Sequence, residues 1–163
     1  MANLNAPYGF QPLKSPAGNI SANPYSATGT IFEGDLVTMN SDGLVIKLTS
    51  TTAVYACGAA ASYIAVGTSV ATLLVYDDPN QVFTAQSLLT STSNQTIIGD
   101  LYDLYVGTGS TSSRLSGAGV GTTESNTSSG PLLISGFDSS VDNDDAAAYP
   151  RVQVKLKNHQ FGS

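Results

Sequence analysis

The chain has 163 residues, enough for one domain with a substantial core. Six Lys and Arg against twelve Asp and Glu leave a net charge of −6, and so few cations argue against a nucleic-acid partner, which needs clustered positive charge to neutralise phosphates. Charged residues make up only 11% of the chain, well below the roughly one quarter usual in globular proteins, so Ser, Thr, Asn and Gly must carry its solubility and little remains to fill exposed helix faces.

Residues 1–28 stand apart. Four of the seven prolines, Pro7, Pro12, Pro16 and Pro24, fall there beside one charge, Lys14. That density forbids a helix and favours extended backbone. The segment also carries Tyr8, Phe10, Leu13, Ile20 and Tyr25, more apolar surface than a solvated tail needs. It reads as an extended arm that lies on another surface, the alternative being a disordered terminus. Residues 29–163 then form a single β domain. Ile31-Phe32 and Leu36-Val37-Thr38-Met39 read as strands, and Asn40-Ser41-Asp42-Gly43 is a strong turn signal. Leu44, Ile46 and Leu48 alternate with Val45, Lys47 and Thr49, the period of a half-buried strand.

Residues 53–66 (AVYACGAAASYIAV) are rich in small side chains and read as close-packed strand with a bulge or bend near Gly58. Gly67-Thr68-Ser69 then turns into residues 70–86, read as strand, turn, strand. Residues 70–76 are β-branched, aromatic and apolar, nearly continuous in apolarity, which suits a central strand covered on both faces. Asp77-Asp78-Pro79-Asn80 supplies the turn, and Val82 and Phe83 begin the return of a hairpin around which the fold would form. A polar connection at 88–95 leads to a strand region at 97–106, kinked at Gly99. Residues 107–130 form a long Gly/Ser/Thr-rich loop, unusual inside a compact domain and either mobile or ordered by a neighbouring subunit. Leu132, Leu133, Ile134 and Phe137 mark the next strand, before an acidic loop at 138–145. In the last strand Val152, Val154 and Leu156 face one way. Arg151, Gln153, Lys155 and Lys157 face the other, so three of the six basic residues share one face. That face suits either a charged edge strand or a contact with an acidic partner.

Catalytic chemistry finds little footing. His159 is the only histidine and Cys57 the only cysteine, so no triad, thiolate zinc site or internal disulfide is supported. Cys57 lies among Ala and Gly and reads as a small buried hydrophobe. No phosphate-cradling glycine motif occurs. Asp142-Asn143-Asp144-Asp145 lacks the spacing of a calcium loop. No cofactor, metal or catalytic residue is expected, and the chain is expected not to be an enzyme. No run is long and apolar enough for a membrane span, and MANLNAPYGFQPL, with no basic and then apolar region, is not expected to act as a secretory signal. It is expected to be made in a cytoplasm, with no membrane partner.

The opening MANLNAPYGFQPL resembles a start common among small head proteins of tailed bacteriophages. Further matches are Gly34-Asp35-Leu36-Val37, then Val75-Tyr76-Asp77-Asp78-Pro79 with Phe83 and Gln86, and a closing Asn158-His159-Gln160. In order and spacing they look like the capsid decoration, or cement, proteins; residues 107–130 depart from that pattern. The residues themselves predict an all-β fold with an extended Pro-rich N-terminal arm, and the resemblance implies a small β-barrel or β-sandwich-like domain. It implies a structural virion protein on the outer surface of the capsid, clustered as a homo-oligomer (trimer or dimer). Such a protein bridges neighbouring copies of the major capsid protein and stabilises the mature head. The arm and the basic face then supply the contact candidates: Pro7, Tyr8, Phe10, Pro12, Leu13, Tyr25, Arg151, Lys155 and Lys157. Two other classes compete: a phage tail, fibre or host-surface-binding module, and a small hydrolase dependent on His159 or a carboxylate.

Overall fold

The structure is a computed structural model and describes residues 3–14, 20–51, 55–90, 95–124 and 130–162. It is all-β, as the sequence predicts. The strands are β1 (Gln11–Lys14), β2 (Asn23–Ile31), β3 (Leu36–Met39), β4 (Val45–Lys47), β5 (Gly58–Ala60), β6 (Ile64–Tyr76), β7 (Val82–Gln86), β8 (Leu101–Tyr105), β9 (Gly119–Glu124), β10 (Leu132–Phe137) and β11 (Arg151–Leu156). They form a closed barrel, in the order β2-β4-β3-β5-β6, and a six-stranded sheet, in the order β1-β7-β11-β10-β8-β9. Among the described residues the pairings between these strands are antiparallel except the bridge Ala27↔Val45, which closes the barrel between β2 and β4.

Two cores result, one inside the barrel and one beneath the sheet, and β3 and β5 are the wall between them. On β3, Leu36 packs into the sheet core and Val37 into the barrel core. Around β5, Ala56 and Ala59 face the sheet core while Cys57 and Ala60 face the barrel. A strand packed on both sides at such close range has room only for small side chains, which is why 56–60 is built from Ala, Cys and Gly. The alternation slips by one residue at Gly58, where the sequence predicts a bend. Gly58 has φ +149°, and a Cβ there would lie 2.1 Å from the Tyr76 carbonyl oxygen.

The 70–86 hairpin does not form. β6 pairs with β2 and β5 in the barrel, whereas β7 pairs with β1 and β11 in the sheet. The turn is real: Gln81 N–H donates to the Asp78 carbonyl, and Asn80 N–H to Asp78 Oδ1. It carries the chain from one sheet to the other. Nor is β6 covered on both faces. Leu73 and Val75 point into the barrel, while Val70 and Leu74 lie outside, 56% and 41% exposed. Local apolarity marks a strand but does not say which edge it will join. The turn expected at 67–69 is instead a bulge within β6, where the partners step from Thr28↔Val70 to Thr30↔Ala65. In β4 the expected phase is reversed. Val45 fills the barrel and Leu44 and Ile46 are half-buried outside it.

Three other expectations change. A boundary at residue 28 falls inside β2. The loop expected at 107–130 contains β9, which pairs with β8, and residues before it fold against the barrel mouth: Glu33 bridges to Leu115, and Gly109 packs so closely that a Cβ would lie 2.3 Å from the Phe32 ring. The expected loop residues 125–129 lie outside the described residues. Finally, β11 is not an edge strand. It lies between β7 and β10, its apolar face fully committed to the sheet core through Val152, Val154 and Leu156.

Candidate interaction surface

The opening segment is laid along the chain's own body. Asn3 donates to the carbonyls of Asp144 and Ala148 and accepts from Asp144 N–H. Gln86, 4% exposed, spends its whole amide on backbone: Oε1 accepts from Ala6 N–H, and Nε2 donates to Leu4 and Tyr149 carbonyls. Gly9 N–H donates to Ala118 O and Phe10 N–H to Gly34 O, after which β1 pairs with β7. The segment therefore runs between β7 and β9, which also meet just past the end of β7 through the bridge Ser87↔Val120 and the bond from Leu88 N–H to Val120 O. Gly9, at φ +85°, sits where a Cβ would be 2.7 Å from the Gly34 carbonyl oxygen and 2.8 Å from Ser116 Cβ.

Beside this crossing lies a buried ionic cluster that sequence reasoning missed. Asp35 is fully buried. Its Oδ1 accepts from the Ser116 hydroxyl at 2.5 Å and pairs with Lys47 Nζ at 3.0 Å; its Oδ2 accepts from Phe32 N–H at 2.9 Å. Lys47 also lies 5.8 Å from the centre of the Phe32 ring. Three separated segments, 32–35, β4 and the 107–118 loop, are tied at one carboxylate. The available signal was Lys47, which shares the face of β4 that carries Val45.

The contact candidates divide. Phe10 leaves the set, since it is fully buried in the sheet core. Pro7, Tyr8 and Pro12 are half-buried along the docked segment, and Leu13 is 39% exposed. Burial pushes the Tyr8 phenol up, while its contact with Thr84 Oγ1, at 3.5 Å, opposes that. Arg151 is spoken for within the chain: it pairs with Asp142 and, at 3.6 Å, with Asp138. That bond to Asp142 raises the guanidinium pKa and lowers the carboxyl of Asp142. Lys155 is half-buried on the outer face of β11, and Lys157 is exposed beyond its end. Tyr25 belongs to the barrel, where its hydroxyl donates to Asp77 Oδ2 at 2.5 Å; burial and that carboxylate push its pKa up to about 12.

What the structure brings together is Tyr8 and Arg151. With Asn3, Leu4, Gln86, Asp142 and Tyr149 they line an open pocket of about 330 Å³. Tyr149 has φ +57°, a strained value for a bulky residue. Leu4 on its wall is 82% exposed and nearby Val141 fully so.

No family model, curated protein or solved structure matches the chain.

The surface offers aromatic rings, aliphatic tips and a neutralised arginine, a mixture suited to holding another polymer surface. Among the described residues no group of three or more His, Cys, Asp or Glu is placed to hold a metal ion, and no helix is long and apolar enough to cross a membrane. Burial raises the Cys57 thiol to about 12, so at neutral pH it is a packed, protonated side chain.

Proposed function

We propose that the chain is a structural virion protein, a decoration or cement protein on the outside of a bacteriophage capsid, where it bridges neighbouring major capsid subunits and acts without catalysis. One observation carries the reading. The scattered motifs behind the resemblance each hold a separate part of the fold together. Gly9 and Phe10 of the opening meet Gly34, beside Asp35; Gln86 fixes Leu4 and Ala6; Asn158-His159-Gln160 docks on Ala56 and Met39. This supports their being a set of residues that belongs to one architecture.

The mechanism is mass action. A protein that binds only the expanded shell stabilises it by about 2.7 kcal/mol per site at a hundredfold excess over Kd, and many sites multiply that. With the opening segment docked on its own body, its outer side, Leu4, Tyr8 and Leu13, meets the shell. Purified protein added to expanded capsids lacking it should bind saturably, with a fixed ratio to the major capsid protein. Leu4→Asp and Leu13→Asp should weaken binding about tenfold without lowering Tm. Absence of binding at any concentration refutes the reading.

A second reading, a tail, fibre or host-surface-binding module, is favoured by the pocket that Tyr8 and Tyr149 both line, since aromatic rings beside Asn, Asp and Arg suit a sugar. Retention on a surface-glycan array together with no capsid binding would select it.

A further inference from the structure

Residues 157–162 close one end of the barrel. His159 bridges to Ala56 and is 5% exposed. Around it, Ala56 N–H donates to Asn158 O and Gln160 N–H donates to Ala56 O. The Gln160 side chain acts as a surrogate peptide group: Oε1 accepts from Met39 N–H at 2.8 Å, and Nε2 donates to Met39 O at 3.1 Å. Phe161 stacks on Tyr25 at 6.2 Å between centroids and tilts against the His159 ring at 5.7 Å.

The imidazole is the weak point. Nδ1 accepts from Phe161 N–H at 3.2 Å, a bond that assigns the proton to Nε2. Nε2 is buried and, among the described residues, has no hydrogen-bond partner of ordinary geometry. A second proton would have to sit on Nδ1, directly against the Phe161 N–H. Of the charged groups facing the ring, Asp77 and Asp78 favour the cation, but Asp77 already accepts from Asn23 and Tyr25. The other titratable groups packed here, Cys57 and Tyr25, stay protonated and neutral.

We propose that residues 158–162 form an acid-released latch, in which protonation of His159 breaks its bond to Phe161 and frees the segment from Ala56 and Met39. Desolvation outweighs the two carboxylates and the Cys57 backbone carbonyl, all three of which favour the cation, and holds the imidazole below its ordinary pKa, so the latch is closed at neutral pH. This inference stands whether or not the chain decorates a capsid.

Because His159 is the only histidine, its ring signals in NMR are unambiguous. The full chain is titrated from about pH 8 to about pH 5, with amide exchange followed at Met39, Gln160 and Phe161 and corrected for intrinsic rates. The ring should titrate below its ordinary value of about 6.5. As it does so, protection at Met39 and Gln160 should fall at least about tenfold relative to the amides of β11. His159→Phe should hold its protection over the same range. The latch is refuted if the ring titrates while those amides stay protected, if it titrates at or above its ordinary value, or if β11 opens with the segment. The wild-type titration decides the matter even where His159→Phe does not fold.

Discussion

Asp35 is met by a hydroxyl, an ammonium and a backbone N–H, and those bonds replace the water it gave up on burial. Removing one side of such a pair strands the other. Asp35→Asn should cost about 3 kcal/mol in urea unfolding, since Lys47 is only 20% exposed and cannot recover its hydration. Lys47→Met should cost a similar amount, and the double variant less than the sum. Two sets of titrations shape stability with pH. The folded His159 lies below its unfolded pKa, so its contribution is complete above about 6.5 and declines as pH falls from there toward the folded value. Tyr25 and Cys57 are shifted up to about 12, so their contributions are complete below the ordinary phenol and thiol values and are lost as pH rises through the folded ones. Thermal melts across pH should therefore form a plateau from about 7 to 8.5, with the acid shoulder missing in His159→Phe.

Among the elements, the opening segment and β5 carry the sharpest consequences. A free docking arm could be removed without harm to the domain. The opening segment instead supplies β1, the Gly9 and Phe10 bonds, and a fully buried aromatic ring. Phe10→Ala should cost about 3–5 kcal/mol, and a chain lacking residues 1–12 should show weakened sheet packing in its tyrosine near-UV spectrum before any partner is added. In β5, Gly58→Ala combines an unfavourable φ with contact against the Tyr76 backbone and should cost about 2–5 kcal/mol. Gly43→Ala, at φ +75° but with open space around it, should cost only about 1–2 kcal/mol. Equal effects at the two sites would mean that the wall between the cores has more room than the structure gives it.

At the scale of the whole molecule, that wall should make the barrel and the sheet unfold together. Leu36 and Val37 are neighbours on β3 yet belong to different cores. Loosening either core moves the other, so Leu36→Ala, costing about 2–5 kcal/mol, should shift the urea midpoint seen by far-UV and near-UV signals equally. Two separate transitions would contradict this. The opening segment, β7 and β11 are remote in sequence and adjacent in the sheet, so folding should fall in the slow range of milliseconds to seconds.

Much of this protein was legible as sequence because it depends on near neighbours. Alternation placed β11 and its inward face, Asn40-Ser41-Asp42-Gly43 placed a turn, and the small residues around Gly58 placed a bend. The composition alone pointed to few charges and little helix, and the run of strand and turn patterns to a mainly β chain. Pairing was not legible, because a strand's pattern reports burial and leaves open which of many edges it will meet. So β6 and β7 looked like a hairpin and went to different sheets, Phe10 looked like a contact and became core, and Gln86 gave no hint that its amide would hold Leu4 and Ala6. The buried Asp35–Lys47–Ser116 cluster and the closed-in His159 likewise exist only once distant segments converge. Local chemistry determined which residues turn, extend and hide, and tertiary packing decided what each of them touches.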